Sequence, residues 1–355
     1  MAQIRALALH IPFFNDDESV IDTITKIMDK ISECLGICGM EPWTLRLILP
    51  TATDCRKLYR LLRDLFNVLN DDIMVGLGTE EHRECINNIV PLLTTYPKLY
   101  MSTRCNDDTC IKKVVDNVYL RRDIDIDYNV YTRFALVFGT WIETPYFPAT
   151  CNFSNVLGLS ISLRYVDLVE KALLDNNVLE LFKFIEESND KAMCLSKCSD
   201  IPFIGIDLSL SPWMNESVAG LIEKLIRDKI GHPGTVNAIY SLNKLINRII
   251  DRLKLRSIGF NEVMLPVAED SILNERIKNG DIRLRDLINY SLVCVAGLDM
   301  VAIPINTNIH SIAIDMLTIH KIKRRNVAMR VIPVNQDPTT SVNLKMFGTT
   351  YVAMI

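Results

Sequence analysis

The chain has 355 residues, of which 49% are hydrophobic and 23% are charged, and its formal net charge is −4. This is the composition of an ordinary globular protein that is long enough to bury a sizeable core. The negative charge argues against a general nucleic-acid binder, because such proteins present a basic face to phosphate.

Short apolar segments with strand periodicity alternate with longer segments of helical periodicity along the first half of the chain. The predicted strands cover 4–11, 44–49, 73–77, 99–102 and 131–138. The predicted helices cover about 17–36 (capped by Asp16 or Asp17), 53–69, a stretch from about Glu80, a stretch from Asp108, and 165–187.

The second half repeats this rhythm. Its predicted strands are 203–208, 263–267 and 327–332, and its predicted helices are 217–227, 235–253 and 307–323. Such alternation predicts an α/β fold with helices outside a mainly parallel sheet, either open or closed into a barrel. We expect one domain over 1–355, with 186–200, interpreted as a polar loop, as the only candidate boundary.

No apolar run reaches the roughly 18 residues that a membrane-spanning helix needs. The N-terminal segment has one basic residue and then Asn15-Asp16-Asp17 where a secretory cleavage site would need small residues. We therefore expect a cytoplasmic protein with no membrane partner.

Ten cysteines are present, and none of the close pairs has the CxxC spacing of a zinc knuckle. The close pairs are Cys34/Cys38, Cys105/Cys110 and Cys194/Cys198. Free thiols, one or two disulfides, and a structural metal all remain open, although disulfides are unusual in a cytosol outside hyperthermophiles.

Polar residues collect at the predicted strand ends, where ligands bind in α/β sheets. Asp207 ends the strand FIGIDLSL and is followed by Ser209, and both are candidate ligand-binding residues. Glu269 and Asp270 follow the strand EVMLPV. Adjacent carboxylates suit a divalent metal or acid–base catalysis, so Asp207, Glu269 and Asp270 are the candidate metal ligands. The alternatives are that Asp207 caps a loop and that Asp270 caps the next helix while Glu269 stays solvated.

Four other residues are candidates for binding an anionic ligand. His232 and Thr235 lie in His-Pro-Gly-Thr before a long helix, and Asn306 lies before another, where free backbone N–H groups attract anions or simply receive a cap. Arg46, inside an apolar strand, is the best candidate for a buried anion-binding guanidinium.

The stretch YSLVCVAGLDMVAIP (290–304) looks like the wall of a pocket, because a thiol and a carboxylate stand in an apolar run broken by glycine. Cys294 and Asp299, together with Glu269, are the candidate catalytic residues. We predict that Asp207, Glu269, Asp270, Cys294 and Asp299 share one cavity. No phosphate loop, GxGxxG, GxSxG or HExxH motif occurs.

Several stretches together resemble the family called domain of unknown function 711, a group of uncharacterised UPF0210-like proteins. The matching stretches are WTLRL (43–47), PYFPAT (145–150), FIGIDLSLSP (203–212), GHPGT (231–235), VMLPVAEDS (263–271), VCVAGLDMVAIP (293–304) and MRVIPV (329–334). The chain departs from the family pattern at Ile305-Asn306-Thr307, where an acid is missing, and at Pro333-Val334-Asn335-Gln336.

This family is similar in fold to the glycyl-radical enzymes of the pyruvate formate-lyase type. The resemblance implies a single α/β barrel whose central finger loop carries Cys294. The C-terminal segment 345–349 lacks the Arg-Val-x-Gly-aromatic radical loop, which implies a relative without radical chemistry.

Three functions stay open at this point, one of which is a structural or scaffolding protein without a ligand. The first is an enzyme acting on a small polar or anionic metabolite in an acid-lined pocket, with a divalent metal as its candidate cofactor. The alternative is a non-catalytic small-molecule-binding or regulatory protein. For each of these functions we expect a homo-oligomer.

Overall fold

The computed structural model describes residues 3–12, 19–52, 54–80, 83–120, 126–175, 177–294 and 297–355. Its main strands are β1 (Gln3–His10), β2 (Thr44–Ile48), β3 (Ile73–Thr79), β4 (Leu99–Arg104), β5 (Phe134–Phe138), β6 (Gly158–Arg164), β7 (Phe203–Asp207), β8 (Leu298–Pro304) and β9 (Val327–Val334). A small hairpin follows, made of β10 (Ser341–Asn343) and β11 (Thr349–Tyr351).

Helices connect most of these strands. They are α1 (Ser19–Ile37), α2 (Cys55–Val68), α3 (Arg83–Thr95), α4 (Asp108–Val114), α5 (Val166–Leu174), α6 (Val178–Ser199), α7 (Val218–Ile226), α8 (Thr235–Leu253), α9 (Ser271–Lys278), α10 (Leu284–Tyr290) and α11 (Ile309–Lys323). Short 3-10 helices cover Tyr128–Arg133, Val267–Glu269 and Lys345–Phe347, and a π-helical turn covers Val115–Tyr119.

The nine main strands form one sheet in the order β7-β6-β1-β2-β3-β4-β5-β9-β8. Strands β1 to β5 are mutually parallel, whereas β6 and β7 on one side and β8 and β9 on the other run in the opposite direction. The predicted α/β fold with a mostly parallel sheet is therefore confirmed. Closure of this sheet into a barrel stays a prediction, as does the single domain.

Three sequence predictions are wrong in detail. The polar stretch 186–200 is not a loop, because Leu181, Ile185, Ala192 and Leu195 recur at helical spacing and are buried as parts of α6. The predicted helix 165–187 is split between α5 and α6. The predicted strand 263–267 is reduced to one bridge between Val263 and Leu210, since Pro266 cannot donate to a strand ladder. The predicted caps Asp16 and Asp17 and the helix start at Thr53 lie outside the described residues.

The loop 139–157 packs onto the face of the sheet where β3 carries Gly76 and Gly78, next to Met74. A Cβ atom on Gly76 would lie 2.6 Å from Cζ of Phe147, and one on Gly78 would lie 2.8 Å from Cβ of Cys151. Real Cβ atoms do not come so close to other heavy atoms, so both positions need glycine for this loop to fit. The sequence IMVGLGT in β3 thereby makes room for the loop that forms part of the site described next.

Four disulfides join eight of the ten cysteines. Two of them, Cys34–Cys198 and Cys38–Cys194, tie α1 to α6 one helical turn apart, and the others are Cys55–Cys85 and Cys105–Cys110. Cys151 and Cys294 are free and buried. Of the alternatives left open by the sequence, the structure shows disulfides, and it has four of them where one or two were expected.

Candidate functional site

A cavity of about 80 Å³ lies between the N-terminal ends of β2, β3 and β4 and the loop 139–157. Aromatic rings make much of its wall, including Tyr100, Tyr146 and Phe147. Trp43 and Trp213 meet edge to face with ring centroids 4.7 Å apart, and the 3-10 turn with Met346 and Phe347 also borders the cavity. The charged side chains on the wall are Arg5, Arg46, Glu269, Asp299 and Arg330.

Four of these charged groups form one chain of ion pairs. Arg5 Nη2 donates to Oε2 of Glu269 at 2.8 Å, and Arg330 Nη2 donates to Oε1 of the same carboxylate at 3.1 Å. Arg330 also binds Asp299 through Nε at 2.6 Å and Nη2 at 3.1 Å. Burial lowers the pKa of the Arg330 guanidinium, but Asp299 and Glu269 together raise it above its ordinary value. The two carboxylates in the cavity are therefore already neutralised by arginine.

This chain of ion pairs indicates that the sheet curves around the cavity. Arg5 lies on β1 and Arg330 on β9, and these strands are five positions apart in the sheet. Flat strands with that separation would lie roughly 24 Å apart. Since both arginines reach one carboxylate, the sheet wraps around the cavity and Glu269 lies inside the curve.

Arg46 differs from the other two arginines, because it makes no ion pair with a carboxylate in the part of the chain that the structure describes. Its Nε donates to Thr44 Oγ1 at 3.0 Å and its Nη1 to the Pro145 carbonyl at 2.6 Å. The guanidinium lies 5.0 Å from the ring centroid of Phe147. Burial, and then the nearby charge of Arg5, lower the pKa of Arg46 to about 10. A cation without a partner in such surroundings favours the approach of an anion.

Asp207 is fully buried but does not line this cavity. Its Oδ1 accepts from the Ser209 amide and hydroxyl at 2.9 and 2.6 Å and from the Asn261 amide at 3.1 Å. Its Oδ2 accepts from the Thr144 hydroxyl at 2.6 Å and the Phe260 amide at 3.0 Å. Asp207 therefore binds three loops together, as the loop-cap alternative predicted, and Ser209 is one of its donors.

Asp270 likewise has a structural environment. Its carboxylate accepts from the amides of Ile272 and Leu273, both at 3.1 Å, and so caps α9. It also accepts from the Ser217 hydroxyl and from the Ala219 amide at 2.9 Å, at the start of α7. Burial raises the pKa of Asp270. The capping alternative for Asp270 is confirmed, whereas Glu269 is buried in the cavity wall and not solvated.

Cys294 is buried in the turn after α10, outside the cavity lining. Its thiol faces the Gly297 carbonyl at 3.8 Å, and Lys323 Nζ donates to its backbone carbonyl at 2.8 Å while also pairing with Glu262. Burial raises the pKa of Cys294 to about 12, so the thiol is protonated at neutral pH. The predicted position of Cys294 beside the carboxylates is wrong.

The three loop candidates also lie away from the cavity. His232 is half exposed and pairs with Asp228 at 3.0 Å. Thr235 is buried, but Gly234 occupies the cap position of α8 and the Thr235 hydroxyl donates to the His232 carbonyl. Asn306 is exposed, and the cap of α11 is Asn308. Of the predicted site residues, Arg46, Glu269 and Asp299 are brought together.

The predicted metal ligands are not assembled. Within the described ranges, no group of three or more His, Cys, Asp or Glu side chains is arranged to hold a metal ion. The carboxylate oxygens of Asp207 and Asp270 accept hydrogen bonds from amide and hydroxyl donors, and those of Glu269 accept from two arginines. The three carboxylates therefore do not form the set of oxygen ligands that a hard cation takes.

Sequence reasoning missed Arg5, Arg330 and Tyr100. The two arginines stand inside the apolar strands QIRALALH and VAMRVIPV, which is the same signal that identified Arg46. Tyr100 is the second residue of β4, an otherwise unremarkable strand. A search for every arginine inside an apolar strand would have found all three guanidiniums of the cavity.

Comparison with known proteins places this chain in a family. The family model described as Uncharacterised ACR (DUF711) matches residues 110–341, and the chain belongs to that family. The matched range includes the cavity residues Glu269, Asp299 and Arg330, whereas Arg5 and Arg46 precede it.

Curated relatives share part of the chain. A UPF0210 protein of Halothermothrix orenii is 32% identical over 158 residues, which cover 43% of this chain and 35% of the relative. A UPF0210 protein of Clostridium perfringens is 35% identical over 148 residues, covering 40% of this chain and 33% of the relative. The aligned part thus spans about a third of the length of these relatives. In the described part of the chain, no helix has the length and apolar character to cross a membrane.

Proposed function

We propose that this chain binds a small anionic metabolite in the cavity and that Arg46 is its main anchor. The observation that carries the proposal is the charge balance of the wall. Three guanidiniums face two carboxylates, and the two carboxylates are paired with Arg5 and Arg330. Arg46 is left with a positive charge that a bound anion would neutralise.

A more specific proposal is that the protein also converts this metabolite as an enzyme. Glu269 and Asp299 face the cavity, which is where acid–base groups of an enzyme would stand. Both are held by arginines, however, so neither is a free base in this state. This arrangement favours the non-catalytic binding or regulatory protein over the enzyme. Time-resolved mass spectrometry of co-purified small molecules would detect conversion and so reverse that preference.

We also propose that the curved sheet closes into a barrel, as the resemblance to pyruvate formate-lyase implies. Supporting this, residues 257–263 run beside β7 through parallel bridges, which extends the sheet on that side. An experimental structure in which this segment and β8 lie far apart would contradict closure. We expect no glycyl radical on anaerobic activation, and a spin-resonance doublet lost in Gly348→Ala would show otherwise.

Three further expectations remain proposals. A divalent metal could still bind outside the predicted ligand set, and a shift of the melting temperature with Mg²⁺, Mn²⁺ or Zn²⁺ would reveal it. Homo-oligomerisation is checked by light scattering on the purified chain, where a monomer mass would contradict it. The cytoplasmic location is checked by fractionating the source cells.

The binding proposal is tested by thermal denaturation in a panel of acetate, propionate, phosphate and sulfate at constant ionic strength. We expect at least one of these anions to raise the melting temperature of the unmutated protein. Arg46→Gln should abolish the shift, whereas Arg56→Gln, on the exposed face of α2, should keep it. If no anion shifts the unmutated protein, or if Arg46→Gln responds like Arg56→Gln, the proposal fails.

A further inference from the structure

The donors that remain free in the cavity suggest which anion fits, if the proposed function holds. A guanidinium has five N–H donors, and Arg46 uses two of them on Thr44 and Pro145. The three that remain are on its two terminal nitrogens. Their parallel N–H bonds match the two oxygens of a carboxylate.

Tyr100 supplies a second donor. Its ring lies on the cavity wall beside Phe147, with centroids 5.3 Å apart, and its hydroxyl has no hydrogen-bond partner in the ranges described. Burial is the main cause of the raised pKa of Tyr100, so the hydroxyl keeps its proton and can donate. Tyr100 stands two strands away from Arg46, across β3, on the same face of the sheet.

The charge of the cavity limits the charge of the ligand. The wall carries one positive charge in excess, and the carboxylates of Glu269 and Asp299 are part of the same wall. A monoanion would neutralise that excess. A phosphate ester carries about −1.5 to −2 charges at pH 7 and would add repulsion from both carboxylates.

Size and polarity limit the rest of the ligand. A cavity of about 80 Å³ has room for roughly three to six water-sized groups, so a ligand of at most about six heavy atoms fits. The remaining wall near Arg46 is apolar, formed by Met74, Ala135, Phe147 and Ala149. A short hydrocarbon chain would lie against these side chains.

From these four observations, we propose that the cavity binds a short-chain monocarboxylate of at most about six heavy atoms. Its carboxylate lies on the terminal nitrogens of Arg46 and accepts from the Tyr100 hydroxyl, and its apolar part contacts Met74 and Phe147. The inference rests on the proposed function and sharpens it from anions in general to one chemical class.

Isothermal titration with propionate, butyrate, propionamide, phosphate and sulfate at constant ionic strength tests the class. We expect propionate and butyrate to bind, and the uncharged propionamide, phosphate and sulfate not to bind. Binding of phosphate or sulfate as tight as that of butyrate would overturn the monocarboxylate inference while leaving the anion site intact. Absence of binding by every anion would overturn the proposed function as well.

Variants test the two donors separately. Tyr100→Phe removes one hydrogen bond and should weaken butyrate binding about three- to tenfold. Arg46→Lys should recover part of the affinity lost in Arg46→Gln, because an ammonium keeps the charge but not the paired geometry. The matched controls Tyr59→Phe and Arg56→Gln lie on α2 and should bind butyrate as the unmutated protein does. Unchanged butyrate affinity in Tyr100→Phe would remove Tyr100 from the site.

Discussion

Arg5 and Arg330 bind opposite oxygens of one carboxylate, that of Glu269, although they lie on strands five positions apart in the sheet. All three side chains are buried, with 7% exposure or less. These two contacts therefore join β1 and β9 through one negative charge, which lies on the concave side of the curved sheet. Removing that charge should affect the fold as well as the cavity.

Replacing Glu269 with glutamine should destabilise the protein by about 3–5 kcal/mol, because two buried guanidiniums would lose a shared anionic partner. Urea denaturation monitored by circular dichroism measures the loss. Glu275→Gln, at an exposed acid on α9 that also faces an arginine, is the matched control and should change stability by less than about 1 kcal/mol. Equal stability of Glu269→Gln and the unmutated protein would mean that the shared carboxylate does not hold the sheet.

Gly76→Ala should destabilise the protein by about 1–3 kcal/mol, since the added methyl group would displace the ring of Phe147. It should also weaken any anion binding, because Phe147 lies under the Arg46 guanidinium. Gly36→Ala, in α1, meets no atom within 4 Å and should be neutral or stabilising. Chemical denaturation of both variants decides the point, and a stable Gly76→Ala protein would show that the loop 139–157 tolerates displacement.

Acidification should destabilise the fold through His10. The His10 ring is fully buried, its Nε2 lies 2.8 Å from the Ser160 hydroxyl, and burial lowers its pKa to about 3. Between pH 3 and 6.5 the unfolded chain binds a proton at His10 that the folded chain does not. Stability due to this group is therefore complete above pH 6.5 and falls by up to about 1.4 kcal/mol per pH unit as the pH decreases toward 3.

The measurement is the unfolding free energy of the unmutated protein and of His10→Gln between pH 7 and pH 4. The variant should lose stability less steeply with acid, whatever its stability at pH 7. His232→Gln, at a half-exposed position, should keep the steep dependence. Parallel pH profiles for the unmutated protein and His10→Gln would contradict the assignment.

The two disulfides between α1 and α6 should not contribute additively. Either one alone closes a loop of 156 or 164 residues, whereas the second then closes a ring of only roughly ten. In the chain-entropy description, losing one costs about 2.5 kcal/mol and losing both costs about 8 kcal/mol. Paired Cys→Ser variants at Cys34/Cys198, at Cys38/Cys194 and at all four positions give the three unfolding free energies. A quadruple variant that loses only the sum of the two pair variants would contradict this account.

The sequence predicted the fold class well because period-two and period-3.6 patterns depend on local burial. It failed at 263–267, where Pro266 interrupts an apolar strand-like run, and at 186–200, where a polar surface concealed a helix with a narrow buried face. The position of a residue at a strand end was also a weak guide to the site. Asp207 and Asp270 are buried, but their carboxylates accept hydrogen bonds from backbone amides of loops that are distant in sequence. No local sequence pattern predicts such donors.

Arg46 was found from sequence because a charged group inside an apolar strand needs a partner, whatever the fold. A guanidinium in an apolar strand needs such a partner in any tertiary structure. Cys294 shows the opposite error, because its neighbours in sequence resemble a pocket wall, whereas its thiol is buried against the Gly297 carbonyl, away from the cavity. Whether such a segment lines a cavity or packs in the core depends on the elements that face it. For this cavity those elements include β1 and β2, which are distant from Cys294 in sequence.

The cysteine pairing between α1 and α6 also constrains the order of events during synthesis. Cys34 and Cys38 leave the ribosome long before Cys194 and Cys198, and five other cysteines emerge in between, at positions 55, 85, 105, 110 and 151. Oxidation at that stage could join α1 to any of these thiols. Correct pairing therefore requires either that α6 docks against α1 before these thiols oxidise or that thiol–disulfide exchange later replaces the mispaired bonds.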